Sequence, residues 1–486
     1  MRSLIAFKEK FSLASVRENG LAGILAIVLI IFSVWHLSDS PATWFDEGIS
    51  LGIAKSLVEN GVYSLQVGPH EFVLERPFLI TNNYPVLAPV ALAIYLAGND
   101  FAAARLPMVL FLWVAAALLY VTARRLYGKE CALMSLALVV TFVPFYGNGK
   151  AVLGEVPGLV FFLAGLVAWS GEYHPRRWFL AGLLFGLSAA TKPFFLIVAP
   201  AVLIGETYQY KQTGFWNRIG WLLAGAVGPL IIWLFSILPQ FSWQGLQAMV
   251  GYYSNSYASD NFFSQIVTNS KRFFTETTPF HFLILFGTIA MAAWTRRRLG
   301  EPFKKEEVVL GIFVILNLVW YLKTPGWYRY FFTAHLLLFL LFPAALRAIF
   351  IRRRAIALSL VAGLALVQFG YLLTKRDNSF YNSAAVRRIT SAIGQIINRN
   401  DAVLVINAPS IAFLLPKEQV YQYLQINPVL YFGKAKLSDE ENRPYDYIIL
   451  NGSPDSVSFP GLADMLVRSY RLVDQEEHYT LYRYRL

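Results

Sequence analysis

Runs of apolar residues near 20 long recur through this chain, divided by short segments rich in arginine and lysine. No other feature limits the fold so tightly. Inside hydrocarbon every backbone amide must find its partner within the protein, so a run of that length is read as a membrane-crossing helix. The runs fall at 21–37, 105–122, 131–146, 156–170, 178–190, 193–205, 219–239, 280–294, 308–322, 330–346 and 355–373, about eleven in all. Composition agrees: 56% of residues are hydrophobic and 15% charged, where soluble domains carry about 25% charged residues. The expected fold is an all-α polytopic membrane bundle, and a soluble enzyme is excluded.

A formal charge of +12 would suit nucleic acid, but the basic residues sit in ARRLYGK, HPRRW, TRRRLG and IRRRA, between apolar runs. That is the pattern of cytoplasmic loop anchors, and no nucleic-acid partner is expected. With the N-terminus inside and the spans alternating, five basic loops fall on the cytoplasmic side. They carry Arg124, Arg125 and Lys129; Arg176 and Arg177; Lys211 and Arg218; Arg296, Arg297 and Arg298 with Lys304 and Lys305; and Arg347 with Arg352, Arg353 and Arg354. The same register places 38–104, 147–155, 240–279 and the C-terminal tail outside. The leader with Arg2, Lys8, Lys10 and Arg17 precedes a run whose exit, HLSDSPATW, lacks a small-residue cleavage site, so a retained first span is expected. The resulting location is the cytoplasmic membrane, multi-pass, with the N-terminus cytoplasmic and the C-terminal region extracytoplasmic.

Counting YPVLAPVALAIYLAG (84–98) as a span would reverse every later loop. Two prolines and a short length assign it to the membrane surface instead. Residues 178–205 read either as two short spans hinged at Thr191, Lys192 and Pro193 or as one long kinked span, and the charge pattern prefers two. Past Thr374 the composition shifts to a helical stretch, 384–397, and the strand-like runs DAVLVIN, YDYIILN and EEHYTLYRYRL. The expected organisation is a transmembrane domain over 1–373, with amphipathic helices in its first outer loop (38–104), followed by a small extracytoplasmic α/β domain over 374–486. The single cysteine, Cys131, excludes a disulfide within the chain and reads as a small packing residue. An Asn451-Gly452-Ser453 sequon carries little weight.

The stretch ATWFDEGISLG (42–52) places Asp46 and Glu47 where the chain has just left the first apolar run. Thr43 and Asp46 fit a capping box, Ile49, Ile53 and Leu57 recur at helical spacing, and Asn60-Gly61 supplies a stop. Acids in a first turn are favoured by the helix dipole alone, by about 0.3–1 kcal/mol, so capping without chemistry stands as the plain alternative. Other charges shift the balance. Lys150 and Glu155 in GNGKAVLGEVP, Lys192 between apolar segments, and Arg329 in PGWYRYFF all fall at the outer leaflet in this topology. A charge at the centre of hydrocarbon costs at least about 2.5–3.5 kcal/mol, so acids and bases meeting at one face suggest a site for an anionic lipid head group. Interfacial snorkelling is the competing reading for each cation.

The order WFDEGISLGIAKSLVENGVY, NNYPVLAPVALAIYLAG…AARLP, GKAVLGEVPGLVFF, AATKPF and YRYFFTAHLLLFLLFP resembles the GT-C glycosyltransferases. The resemblance is to the branch that holds protein O-mannosyltransferases and the aminoarabinose transferase of lipid A, and it covers most of residues 20–350. It departs at Asn82-Asn83-Tyr84-Pro85, where the family often has His-Pro-Pro, and at Pro193, where glycine often follows the lysine. The resemblance implies transfer of a sugar, with inversion, from a polyprenyl-phosphate donor to a hydroxyl on a lipid, glycan or protein. It also implies that Asp46 is the base or orients it, and that Glu155 is the second-loop acid.

Candidate catalytic residues are therefore Asp46, Glu47 and Glu155, with Lys192, Arg329, Lys150 and Arg76 as candidates for the donor phosphate. No cofactor motif is certain. Asp46, Glu155 and His70 offer oxygen and imidazole ligands for a divalent metal, without the tight spacing of a strong site. His36, His281 and His335 read as packing or interfacial residues. Tyr252, Tyr253, Tyr257, Phe262 and Phe263 read as an aromatic belt that could also stack on sugar. Two rivals remain: a flippase for lipid-linked sugars, which would place its charges mid-membrane in broken helices, and a non-enzymatic scaffold in which Asp46 only caps.

Overall fold

The computed structural model describes residues 13–485 except 44, 75, 209–213, 240–241, 255–261, 325, 376–383, 418–420, 427–430, 433–444 and 453–461. Helix α1 (Leu13–Val34) leads to α2 (Phe45–Asn60), a small hairpin of β1 (Gln66–Gly68) and β2 (Glu71–Phe72), α3 (Tyr84–Ala97) and α4 (Phe101–Tyr127). Then come α5 (Lys129–Val140), α6 (Val143–Gly149), α7 (Glu155–Trp169), α8 (Pro175–Thr191), α9 (Val198–Tyr208) and α10 (Phe215–Ile237). The bundle closes with α11 (Trp243–Ser254), α12 (Phe262–Thr275), α13 (Thr277–Arg298), α14 (Lys305–Lys323), α15 (Arg329–Ile349) and α16 (Arg354–Lys375).

Each of the eleven expected spans coincides with helix. Among the described residues five helices are long and apolar enough to cross a membrane, or six if α5 and α6, bent by 66°, count as one. The count of eleven is not reached, because helices such as α7, 15 residues long, rise only about 22 Å against a hydrocarbon core of about 30 Å. The pair expected around Lys192 is indeed broken there: α8 stops, Lys192 is extended (φ −154°, ψ 123°), and a 3-10 turn, Pro193–Ile197, precedes α9.

Local chemistry sets the boundaries. Asp100 caps α4 by accepting from the amides of Ala102 and Ala103 (2.8 and 3.4 Å), which satisfies donors that a helix start otherwise leaves orphaned. Gly128, at φ +88°, ends it. Small residues let α8 and α10 touch along their backbones. A Cβ on Gly182 would stand 2.0 Å from the Leu222 carbonyl oxygen, and one on Gly225 would stand 2.1 Å from that of Phe179; such contact is the usual device of membrane helix pairs. Helix α15 is the most enclosed of the long apolar helices, 78% of its apolar window being buried. Its buried Phe331, Leu337 and Phe339 belong to the main core.

The loop over 240–279 contains helices α11 and α12. Tyr257 lies outside the described residues, as do Lys211 and the serine of the sequon.

Beyond α16 the chain forms α17 (Ala384–Ile396), β3 (Val403–Ile406), α18 (Pro409–Leu414), β4 (Tyr421–Ile426), β5 (Tyr431–Phe432), β6 (Tyr447–Asn451), α19 (Leu462–Ser469), β7 (Tyr470–Glu476) and β8 (Tyr479–Tyr484). Six strands make one mixed sheet in the order β5-β4-β3-β6-β8-β7, with β3 parallel to both neighbours. Strands β3, β6 and β8 match the expected runs, whereas β4, β5 and β7 were not anticipated. This unit is not a separate lobe. Ile49 and Ile53 of α2, Val86 of α3 and Phe101 of α4 share one hydrophobic cluster with Ile389, Val405, Ile411 and Tyr421. The first loop and the C-terminal sheet therefore occupy the same end of the bundle.

Candidate functional site

Four charges from four separate elements meet at that end. Asp46, in the first turn of α2, is ion-paired with Arg329, the first residue of α15. Glu155, the first residue of α7, is paired with Lys192 in the extended break after α8. The charges of Arg329 and Asp46 also act on Lys192, so the two pairs form one cluster. The Glu155 side chain is fully enclosed and that of Asp46 is 17% exposed, which makes Asp46 the more open carboxylate.

Two asparagines bring these elements together. Asn82 donates to the Ser50 hydroxyl of α2 (3.0 Å) and accepts from the Gly154 amide (2.6 Å). The Asn83 amide donates to the Thr191 carbonyl (3.3 Å). A Cβ on Gly154 would stand 3.1 Å from Asn82 Oδ1, Lys192 Cβ and the Thr191 carbonyl oxygen, so a glycine is what fits between them. The segment that departs from the family pattern thus joins the acidic helix to the turn carrying Glu155 and to the break carrying Lys192.

Glu155 Oε2 is buried with no hydrogen-bond partner among the described residues. A buried polar atom left this way costs free energy, and a substrate donor placed beside it would recover that cost.

Glu47 has a different environment from its neighbour. Both oxygens are taken by Arg105, Nε to Oε1 at 2.9 Å and Nη2 to Oε2 at 2.8 Å, and Oε1 also accepts from the Val152 amide at 3.0 Å. Arg105 donates onward to the carbonyls of Leu37 (2.9 Å) and Pro41 (2.8 Å). Both side chains are 0% exposed. The pair ties α2, α4, the turn after α1 and the 147–155 loop into one block. Arg105 starts an expected span and lies in the AARLP segment of the resemblance, but its burial opposite an acid leaves no mark in the chain order.

Two other cations are held by backbone carbonyls. Lys150 is buried and donates to Trp35 (2.9 Å), and Arg76 donates to Ser236 (3.4 Å). His70 lies at the exposed tip of the β1–β2 hairpin with φ +60°. No group of three or more His, Cys, Asp and Glu side chains able to hold a metal occurs among the described residues. The expected set of Asp46, Glu155 and His70 is therefore corrected: the hairpin carries the imidazole away, and each carboxylate faces a cation. His335 is fully buried, its ring 5.0 Å from that of His281 and 4.8 Å from that of Phe142, as packing residues would be. Residue 44, at the cap position of α2, is outside the described residues.

Residues 85–243 match the family model described as dolichyl-phosphate-mannose-protein mannosyltransferase. Among solved structures the chain is similar to ArnT from Cupriavidus metallidurans bound to undecaprenyl phosphate, with a TM-score of 0.67 and 13% identity over 96% of this chain and 98% of that one. The apo state of the same protein gives 0.64 at 14% identity over 97% and 98%. The archaeal oligosaccharyltransferase AglB from Archaeoglobus fulgidus, in complex with an inhibitory peptide and a dolichol-phosphate, gives 0.50 at 12% identity over 84% and 64%. No curated protein sequence matches the chain significantly. The GT-C resemblance read in the sequence is borne out by the family match and the shared fold.

Proposed function

From this GT-C fold and family match we propose that the chain is an integral membrane glycosyltransferase. It moves a sugar from a polyprenyl-phosphate donor to an acceptor hydroxyl, with inversion, on the extracytoplasmic side of the cytoplasmic membrane. The observation that carries the reading is the cluster of Asp46, Glu155, Lys192 and Arg329 at one end of an apolar bundle. The undecaprenyl phosphate held by ArnT supports a lipid phosphate as the donor's leaving group.

In the proposed reaction Asp46 takes the proton of the acceptor hydroxyl. The acceptor oxygen bonds to the anomeric carbon as the bond from that carbon to the phosphate oxygen breaks. The electron pair leaves with the lipid phosphate, and one displacement of this kind inverts the centre. A phosphate departs as a stable anion and needs no separate acid, but it needs cations as charge develops. A unit charge at about 4 Å and an effective dielectric near 20 is worth about 4 kcal/mol before desolvation. If half were specific to the transition state, the gain would exceed roughly tenfold. Lys192 and Arg329 fill that role, and Glu155 keeps Lys192 charged and in place. Glu47 and Arg105 act as positioning residues.

Binding the donor opens a contact, because its phosphate must draw Arg329 from Asp46. The carboxylate is then released as base in the complex that needs it. Asp46→Asn should abolish sugar transfer by purified, folded protein supplied with a polyprenyl-phosphate sugar. Unchanged turnover would remove Asp46 as base, and lipid-sugar translocation in proteoliposomes without transfer would favour the flippase.

A further inference from the structure

The opposite end of the bundle holds a polar cavity, of about 180 Å³, among the ends of α4 and α7 and the start of α14. Along α4, Arg125 lies twenty residues beyond Arg105, about 30 Å at 1.5 Å per residue, and along α7 Ser170 lies about 22 Å beyond Glu155. The cavity is thus about one hydrocarbon thickness from the four-charge cluster.

Its walls are built for an anion. Thr122 lines it, is 4% exposed, and has a buried hydroxyl with no hydrogen-bond partner among the described residues. Two cations on the lining are fixed by one bond each: Arg125 Nη1 to the Val167 carbonyl (3.0 Å) and Lys304 Nζ to the Leu126 carbonyl (2.6 Å). An ammonium has three donors and a guanidinium five, so both keep N–H groups for a ligand. A third cation, Arg177, packs against the lining residue Gly171, where a Cβ would stand 2.1 Å from a guanidinium nitrogen. The lining carries one acid, Glu306, and an apolar wall that includes Leu166.

A buried hydroxyl with two lining cations against one acid suits a phosphate, and the apolar wall beside it suits the start of a lipid. One water needs about 10–15 Å³ of such space, so a phosphate with part of its glycerol fits. We propose that this cavity binds the phosphate of an anionic phospholipid head group, in the leaflet opposite the four-charge cluster. Basic pockets between membrane helices bind lipid head groups in this way.

Lipid retention by the purified full chain tests the assignment, with native mass spectrometry as the readout. Phosphatidylglycerol, phosphatidylcholine and inorganic phosphate are the probes. Phosphatidylglycerol should be retained in preference to phosphatidylcholine. The Arg125→Gln/Lys304→Gln double variant should lose roughly thirtyfold of that preference, each charge near the surface carrying a factor of about five. Thr122→Val, which keeps shape and loses the hydroxyl, should lower phosphatidylglycerol retention itself about fivefold and carries the test if the double variant melts early in phosphatidylcholine. Arg297→Gln, on the same face but not lining the cavity, should change nothing. Equal retention of the two lipids, unaltered phosphatidylglycerol retention in Thr122→Val, or an equal loss in Arg297→Gln would overturn the proposal. So would inorganic phosphate binding as tightly as the lipid, which would assign the cavity to free phosphate.

Discussion

Asp46 and Glu47 are adjacent in the chain, and successive side chains on a helix diverge by about 100°. One acid therefore faces Arg329 at the partly open surface of the cluster, and the other enters the interior against Arg105. The sequence made the acidic pair conspicuous but could not divide it, because the division depends on which arginine the fold delivers to each side. The two residues should fail differently. Glu47→Gln leaves a buried guanidinium without its counter-charge, a loss of about 3–5 kcal/mol when a buried pair is broken. It should appear as an early thermal transition, with activity falling because the protein unfolds. Asp46→Asn alters a pair whose carboxylate is 17% exposed and should melt closer to the parent than Glu47→Gln does, while turnover falls by about 10²–10⁴, the usual contribution of a general base. A melting curve and a turnover assay on both variants separate the roles, and matching behaviour in the two would refute the division.

Among elements, α12 does the least expected work. Its Asn269 is fully buried and donates to the carbonyls of Tyr321 (3.2 Å), Leu322 (3.0 Å) and Thr324 (2.6 Å). Carbonyls at a helix end have no intrahelical partner, so this side chain closes the C-terminus of α14. Arg272 of the same helix bonds the Gly326 carbonyl. Gly326 has φ +74°, and a Cβ there would stand 2.0 Å from Asn269 Oδ1. The turn held in this way delivers Arg329 three residues later. Periodicity made the long apolar helices legible, but α12 is short and mixed. The hydrogen bonds that give it meaning cross 52 to 55 positions. Gly326→Ala, strained in dihedral and in contact, should raise KM for the lipid donor several-fold if Arg329 meets the donor phosphate. Asn269→Ala should cost about 1–3 kcal/mol for the carbonyls left open and raise the same KM. A donor titration beside a melting curve checks both: a lower melting temperature with an unchanged KM would make α12 a stabilising element alone.

At the scale of the molecule, the C-terminal sheet and the acidic helix form one packed body, a relation no local pattern could reveal. Lys55 of α2 donates to the carbonyls of Ala412 (3.2 Å) and Leu415 (2.6 Å), 357 and 360 positions away. Phe101 stacks on Phe413 with ring centroids 5.7 Å apart. Gly48, two residues past Asp46, meets α18 so closely that a Cβ would lie 2.8 Å from Pro409 Cγ and from both the amide nitrogen and the hydroxyl of Ser410. The strand-like runs made a C-terminal α/β unit legible, but its seating was not, since a glycine in a helix looks the same whether it faces solvent or another backbone. A side chain at that point must push α18 or turn α2, and α2 carries the candidate base. Interiors are packed too densely to absorb such a change without movement. Gly48→Val should therefore lower turnover at least about tenfold and make the 374–486 region easier to cut by protease. Gly20→Ala, with nothing within 4 Å of its Cβ, should leave both unchanged. Were Gly48→Val to release the C-terminal unit to protease at full turnover, the sheet would be a passenger on the membrane bundle, and the placement of Asp46 would rest on Glu47, Arg105 and Asn82 alone.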